Sequence, residues 1–150
     1  MPVPANMWIY FALLAAFALV LDLVWVVVNI KWGLYRSITP VQPLPVIGGL
    51  WLLVVVVNAL LITAMIRYSQ KKHTPAQVFG IGAFIGFASY VTFNATAVSI
   101  FDEWKPRVAV ADALWGALLY GTASTLAVMI HHPWNDPSKT ATRDLRPQSQ

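Results

Sequence analysis

Cysteine is absent from the 150-residue chain, which excludes disulfides, thiolate catalysis and cysteine-bound zinc or iron-sulfur centres, and leaves the redox compartment open. Charge is scarce as well: Asp, Glu, Lys and Arg together make up 11% of the residues, against 58% that are hydrophobic. One small water-soluble core cannot hide that much apolar surface. His73, His131 and His132 all stand at the ends of apolar runs, away from the acids, so they assemble no Ser-His-Asp set. Tandem repeats are missing too. Asp22-Leu-Val-Trp25 and Asp112-Ala-Leu-Trp115 share an Asp-x-x-Trp pattern that is too short to establish a duplication.

What the chain does have is long apolar sequence. Four runs, 7–30, 45–68, 76–101 and 108–131, are each about 24 residues, or about 36 Å of helix, which crosses a ~30 Å hydrocarbon layer with some tilt. Strands are a poor alternative, because a membrane barrel needs alternating segments of about ten residues and Val54–Val57 does not alternate. The expected fold is all-α: a polytopic membrane protein built as an antiparallel four-helix bundle, with one domain over 1–134 and a polar, disordered tail over 135–150. The first run is about twice as long as a secretory h-region and has no Lys or Arg before it, so it is expected to remain as a span. The links read as turns: 31–44 holds Gly33, Pro40 and Pro43, 69–75 holds Lys71 and Lys72, and 102–107 ends in Pro106-Arg107. Such short links make successive helices antiparallel neighbours.

A formal net charge of +4 would suggest nucleic acid in a soluble protein. Here the basic residues lie almost wholly between or after the apolar runs, so membrane lipids with anionic headgroups are the expected partners and nucleic acid is not. Arg67, Lys71, Lys72, Lys139, Arg143 and Arg146 fall on the face shared by the termini, and Lys31, Arg36, Lys105 and Arg107 fall opposite. That bias places both termini in the cytoplasm. Trp8, Tyr10, Trp32, Tyr35, Tyr68, Trp104 and Trp134 stand near span ends, where amphipathic rings anchor at the headgroup boundary. Helices in lipid associate through small residues, and Gly82, Gly86, Ala113, Gly116, Ala117 and Gly121 supply them. The third and fourth spans are therefore expected to touch closely. Gly80, Gly82 and Gly86 do not form a dinucleotide fingerprint, since the last spacing is one too long and no strand precedes them.

The informative residues are the acids inside the spans, Asp22 and Asp112. An Asp near a helix centre costs about 2.5–3.5 kcal/mol on the insertion scale, while each Leu, Ile, Phe or Val returns roughly 0.3–0.6. The first span therefore tolerates Asp22 easily, whereas the fourth, poorer in these residues, is marginal with Asp112. Counting from span centres at 1.5 Å per residue, Asp22 lies roughly 5 Å, Asn94 about 8 Å and Asp112 about 10 Å from the midplane. All three offsets point toward the face carrying the first and third links. Helical spacing adds Trp25 and Asn29 to Asp22, Tyr90 to Asn94, and Trp115 and Gly116 to Asp112. Facing inward, these side chains make a polar, aromatic-lined site.

Apart from Arg67 at the very end of the second run, no Lys or Arg lies inside a span, so each acid must be protonated, hydrogen-bonded or matched by a cation, unless Arg107, Lys31 or Arg36 reaches inward from a link. Two readings stay open at this point: interhelical hydrogen-bond glue, or a functional site. Asn58, midway along the second span, is expected to bond to a neighbouring helix. His131 and His132 diverge on a helix and lack a third ligand nearby, so no metal site is expected. Asn94-Ala-Thr96 matches a glycosylation pattern in hydrocarbon, where the acceptor is unreachable.

At these residues the sequence resembles the small integral membrane proteins grouped as domain of unknown function 2177. The likeness rests on Asp22 and Trp25, and on Gly82, Gly86-Phe87, Tyr90, Thr92, Thr96, Trp104, Asp112, Trp115 and Gly116 in order and spacing. It covers nearly the whole chain apart from the tail. It implies a four-helix architecture and points to a site in these segments without implying a reaction. Where family members usually read Tyr-Asp-Leu-Thr-Asn, this chain reads Phe93-Asn94-Ala95-Thr96-Ala97. If that segment carries the family's activity, the activity here is altered or lost.

Three functions compete on the sequence. The first is a bundle that binds or transports a proton, a cation or a small amphiphile, with Asp22 and Asp112 bearing charge, Tyr90 and Asn94 orienting, and Trp25 and Trp115 as walls. The second is a lipid-modifying enzyme using the two acids as acid and base. The third is an accessory or assembly protein. No cofactor is implied, and oligomeric state stays open.

Overall fold

The computed structural model describes residues 5–32, 44–69 and 72–133. The chain is all-helical: α1 (Ala5–Trp32), α2 (Leu44–Tyr68), α3 (Pro75–Ile100) and α4 (Pro106–Ile130). Each is long and apolar enough to cross a membrane, and no strand occurs among the described residues. The bounds match the four apolar runs to within about three residues, the usual uncertainty of a helix end. The 33–43 part of the first link, Trp134 and the 135–150 tail lie outside the described residues, as does the boundary expected at 134.

Local chemistry fixes two of the helix starts. Thr74 accepts the Gln77 backbone N–H at 3.3 Å, and the Gln77 side chain accepts the Thr74 N–H at 2.9 Å. This capping box, with Pro75 in the first turn, satisfies donors that would otherwise be orphaned at the start of α3. Pro106 likewise stands in the first turn of α4, there without a side-chain cap. Between α3 and α4 the chain reverses in a tight turn, in which the Trp104 N–H donates to the Phe101 carbonyl at 3.0 Å. Hydroxyls along the helices return to the carbonyl four residues back, as in Thr63, Thr92, Thr96, Ser99 and Thr125. In hydrocarbon this local bond replaces the missing water.

The helices form a closed ring in which α1 neighbours α2 and α4, and α3 neighbours α2 and α4. Tyr10 on α1 donates to the Ser124 carbonyl on α4, whereas Trp25 further along α1 reaches Asp112 near the start of α4. As the number rises on one helix it falls on the other, so α1 and α4 run antiparallel. The buried stripe of α1 is Tyr10, Leu14, Ala18 and then Asp22, at four-residue spacing. Asp22 therefore occupies the next turn of the core face rather than a lipid-facing one. Large apolar residues cover the outside, among them Val20, Leu50, Phe84 and Val110, which suits lipid contact.

Glycine sets the distance between α3 and α4. A Cβ on Gly86 would collide with the Gly116 carbonyl, and one on Gly82 with the Tyr120 carbonyl. Gly116 lies against the Tyr90 ring, and a Cβ on Gly121 would come within 2.8 Å of the Phe79 ring. These contacts involve backbone and rigid rings, so the helices approach closely only because side chains are missing there.

Candidate functional site

Asp22 is 3% exposed and collects one donor from each of the other three helices. Its Oδ2 accepts the indole N–H of Trp51 from α2 at 2.6 Å. Its Oδ1 accepts the Tyr90 hydroxyl from α3 at 3.2 Å and the Trp115 indole N–H from α4 at 2.9 Å. Each partner is uncharged, so the carboxylate is solvated as an acceptor by neutral dipoles.

Asp112 forms the second half of the cluster. Its Oδ2 accepts the Asn94 amide at 2.9 Å, and its Oδ1 accepts the Trp25 indole N–H at 3.3 Å. Asn94 also donates to the Tyr90 carbonyl at 2.9 Å and accepts the Trp104 indole N–H on Oδ1 at 2.7 Å. Its amide thus presents donor and acceptor to the two sides that need them. An Asp at this position would turn a carboxylate oxygen toward Asp112 in place of the N–H.

The two acids are joined through a reciprocal exchange. Trp115, three residues after Asp112, donates to Asp22; Trp25, three residues after Asp22, donates to Asp112. The indoles stack between them with centroids 4.6 Å apart and planes within 7°. The two Asp-x-x-Trp segments therefore act as a cross-over clasp between antiparallel helices, each supplying the acceptor for the other's donor. An aromatic pair of this kind contributes about 0.5–1.5 kcal/mol beyond its buried area.

All six residues singled out on sequence grounds, Asp22, Trp25, Tyr90, Asn94, Asp112 and Trp115, belong to this one network. Asn58 donates within its own helix to the Val54 carbonyl and accepts the Ser89 hydroxyl of α3 at 2.6 Å. Asn29 donates one turn back, to the Trp25 carbonyl, at 2.9 Å. Two expectations need correction. Tyr10 is fully buried with its hydroxyl directed to α4, and Trp104 turns its N–H inward to Asn94, so neither is simply a headgroup anchor. Trp8 and Tyr68 are exposed, as anchors should be. Trp51 was missed altogether. Its signal was depth: counted from the second span's centre it lies about 8 Å off the midplane on the Asp22 side.

Among the described residues no group of His, Asp and Glu has the arrangement of a metal site. The site's chemistry is that of two carboxylates held by indole, phenol and amide donors inside hydrocarbon. Trp115→Phe tests the clasp, because it keeps a ring against Trp25 while deleting the N–H to Asp22. We expect a loss of about 1 kcal/mol in reversible unfolding from micelles, and the same variant in an Asp22→Asn background should cost clearly less.

Residues 7–129 match a family model described as "Predicted membrane protein (DUF2177)". No curated protein and no solved structure matches the chain significantly.

Proposed function

We propose, from the premise that this chain belongs to the DUF2177 family of predicted membrane proteins, that it is a multi-pass membrane protein binding a proton or a small cation at Asp22. One observation carries the reading: a carboxylate within a span, almost fully buried, accepts three neutral donors and no cationic one among the described residues. Ionisable groups inside a membrane commonly mark proton or ion pathways, because the insertion cost is retained only where the charge is used.

Occupancy at this position acts on the whole bundle. A proton on Asp22 turns one carboxyl oxygen into a donor and a poorer acceptor, so an indole N–H from α2 or α4 is held less tightly or the Tyr90 hydroxyl of α3 must turn round to accept. A small cation competes for the same oxygens. Either event loosens one of the three links that converge on α1, which couples the bound species to helix arrangement. Asp112 and Asn94 extend the network toward the α3–α4 turn, where Trp104 caps it.

A second reading, as an accessory or assembly protein, draws support from the same bonds, since both acids are already met by protein donors. The two are separated by proton uptake. In liposomes loaded with a pH-sensitive dye, an external pH step should drive uptake by the wild type that Asp22→Asn abolishes and that Asp102→Asn, an exposed turn variant, leaves intact. Uptake by Asp22→Asn equal to the wild type would exclude the proton reading. The lipid-modifying alternative requires both acids to reach one substrate atom, and no observation favours it.

A further inference from the structure

Among the described residues, polar contacts lead away from Asp22 toward one surface of the bundle. On the side of the termini the inner faces of α1, α2 and α4 carry Leu14, Ala18, Ile62, Ala123, Ala127 and Val128, all fully buried. Hydroxyls buried in that half, those of Tyr10, Thr63 and Ser124, donate to backbone carbonyls of the bundle itself. A packed apolar core of this kind stays dry. Toward the α3–α4 turn the opposite holds. Asp22 accepts Trp115 at 2.9 Å, Trp115 stacks on Trp25 at 4.6 Å, and Trp25 donates to Asp112 at 3.3 Å. Asp112 then accepts Asn94 at 2.9 Å, and Asn94 accepts the Trp104 indole at 2.7 Å. The series begins on a buried acid and ends on a half-buried ring at the rim of the bundle.

Trp104 differs from the other three indoles of the site in where its backbone lies. Trp25, Trp51 and Trp115 are inside helices, whereas Trp104 belongs to the link between the end of α3 at Ile100 and the start of α4 at Pro106. Its ring can therefore turn without moving a helix. Its outer neighbour is Phe93, edge-on with centroids 5.6 Å apart and itself exposed. Asn94, Ala97 and Asp112 at the same end of the bundle are all buried. The bond from Trp104 to the Asn94 Oδ1 is one that an entering water reproduces, since a water O–H donates to the same oxygen. Nothing else in the clasp depends on it: Asp112 keeps Trp25 and the Asn94 amide, and Asp22 keeps Trp51, Tyr90 and Trp115.

We infer that Trp104 is a gate: its indole closes the Asp112 end of the network against water and swings out to admit the exchanging proton or cation from the α3–α4 turn. The inference deepens the reading of Asp22 as a proton or cation site and rests on it. Lids of this kind sit on links because a link can move while the packed elements beside it stay in place. The mouth carries the exposed charges of Asp102, Glu103, Lys105 and Arg107, two of each sign, so selection falls to the gate and the acids rather than to the field at the entrance.

The chain has no cysteine, so one introduced thiol reports on water at a chosen position. A thiol reacts as the thiolate, which a wet site supports and an apolar one suppresses. The probe is a charged, water-soluble maleimide, applied to the full chain in lipid nanodiscs that leave both faces open. Ala97→Cys, one turn from Asn94 on the buried face of α3, should react slowly but to completion, because the gate opens intermittently. Adding Trp104→Ala should speed the reaction about tenfold, and Trp104→Phe, which keeps a ring and loses the N–H, should fall between. Leu14→Cys should stay unreactive in every background, which also shows that the bundle is folded. If Trp104→Ala exposes Leu14→Cys, the milder Trp104→Phe decides. An Ala97→Cys rate indifferent to Trp104 overturns the gate. Permanent protection of Ala97→Cys beside an intact Trp104 overturns it too, by making the indole a fixed plug, and so does Leu14→Cys reacting as fast as Ala97→Cys there. Either failure with Asp22→Asn still inactive in proton uptake leaves the Asp22 reading standing. The expected thiol rates, together with wild-type uptake by Asp22→Asn, leave Trp104 as a gate for water and remove the Asp22 reading.

Discussion

Asp22→Leu should insert into the membrane more readily than the wild type and yet form a less stable bundle. The two effects have opposite signs because they belong to different stages of folding. Removing an Asp from a helix centre relieves about 2.5–3.5 kcal/mol of insertion cost, and Leu adds a few tenths more. That gain applies to any inserted state, folded or not, and so largely cancels when the inserted helices associate. Association instead loses three acceptor contacts, to Trp51, Tyr90 and Trp115. Interhelical hydrogen bonds in lipid average about 0.6 kcal/mol and reach about 1.7, so three of them, with three donors left unpartnered, correspond to about 2–5 kcal/mol. Glycosylation-reporter insertion of the first span should therefore improve while resistance of the purified protein to denaturing detergent falls. A variant as resistant as the wild type would show that the three contacts contribute nothing to the bundle. Asp22→Asn keeps one acceptor oxygen and should fall between the two.

Gly86→Ala should be nearly as damaging, although it adds a single methyl group. The new carbon would overlap the Gly116 carbonyl, and neither backbone can move without separating α3 from α4. Overpacking of this kind costs about 1–3 kcal/mol. Separation would also draw Asn94 away from Asp112, whose bond crosses the same interface at 2.9 Å. Gly80 is the matched control, because a Cβ there meets nothing within 4 Å. Gly80→Ala should leave stability unchanged or raise it by up to about 1 kcal/mol through helix propensity. Unfolding of the two variants side by side in the same detergent checks the pair. Equal effects would mean that the small residues of α3 do not set the interhelical distance.

The parts of the site that were legible share one property: an anomaly visible within a single helix. Asp22 and Asp112 stand out because an acid in an apolar run carries a cost that must be met somewhere. Tyr90 and Asn94 follow from spacing and depth, since residues four apart share a helix face and those at one level share a layer. Trp51 and Trp104 show no such anomaly. An aromatic residue in an apolar run passes for a lipid-facing one, and an aromatic residue at a span end passes for an interfacial anchor. The pairing of donors with acids was equally hidden. Spacing suggests Trp25 as a neighbour of Asp22, whereas its indole N–H serves Asp112, and Trp115 serves Asp22.

The sequence by itself determined the solvent, the number of helices and the position of each polar residue along its span. Transfer free energies accumulate residue by residue along a span, and a fixed rise converts residue number into distance along the helix axis, so neither quantity depends on what other helices do. Only the tertiary structure decided that Asp22 gathers α2, α3 and α4 around α1, and that the two Asp-x-x-Trp segments trade donors. Those facts depend on how far each helix rotates about its axis and slides past its neighbour, which for α3 and α4 is set by where their glycines let the backbones touch.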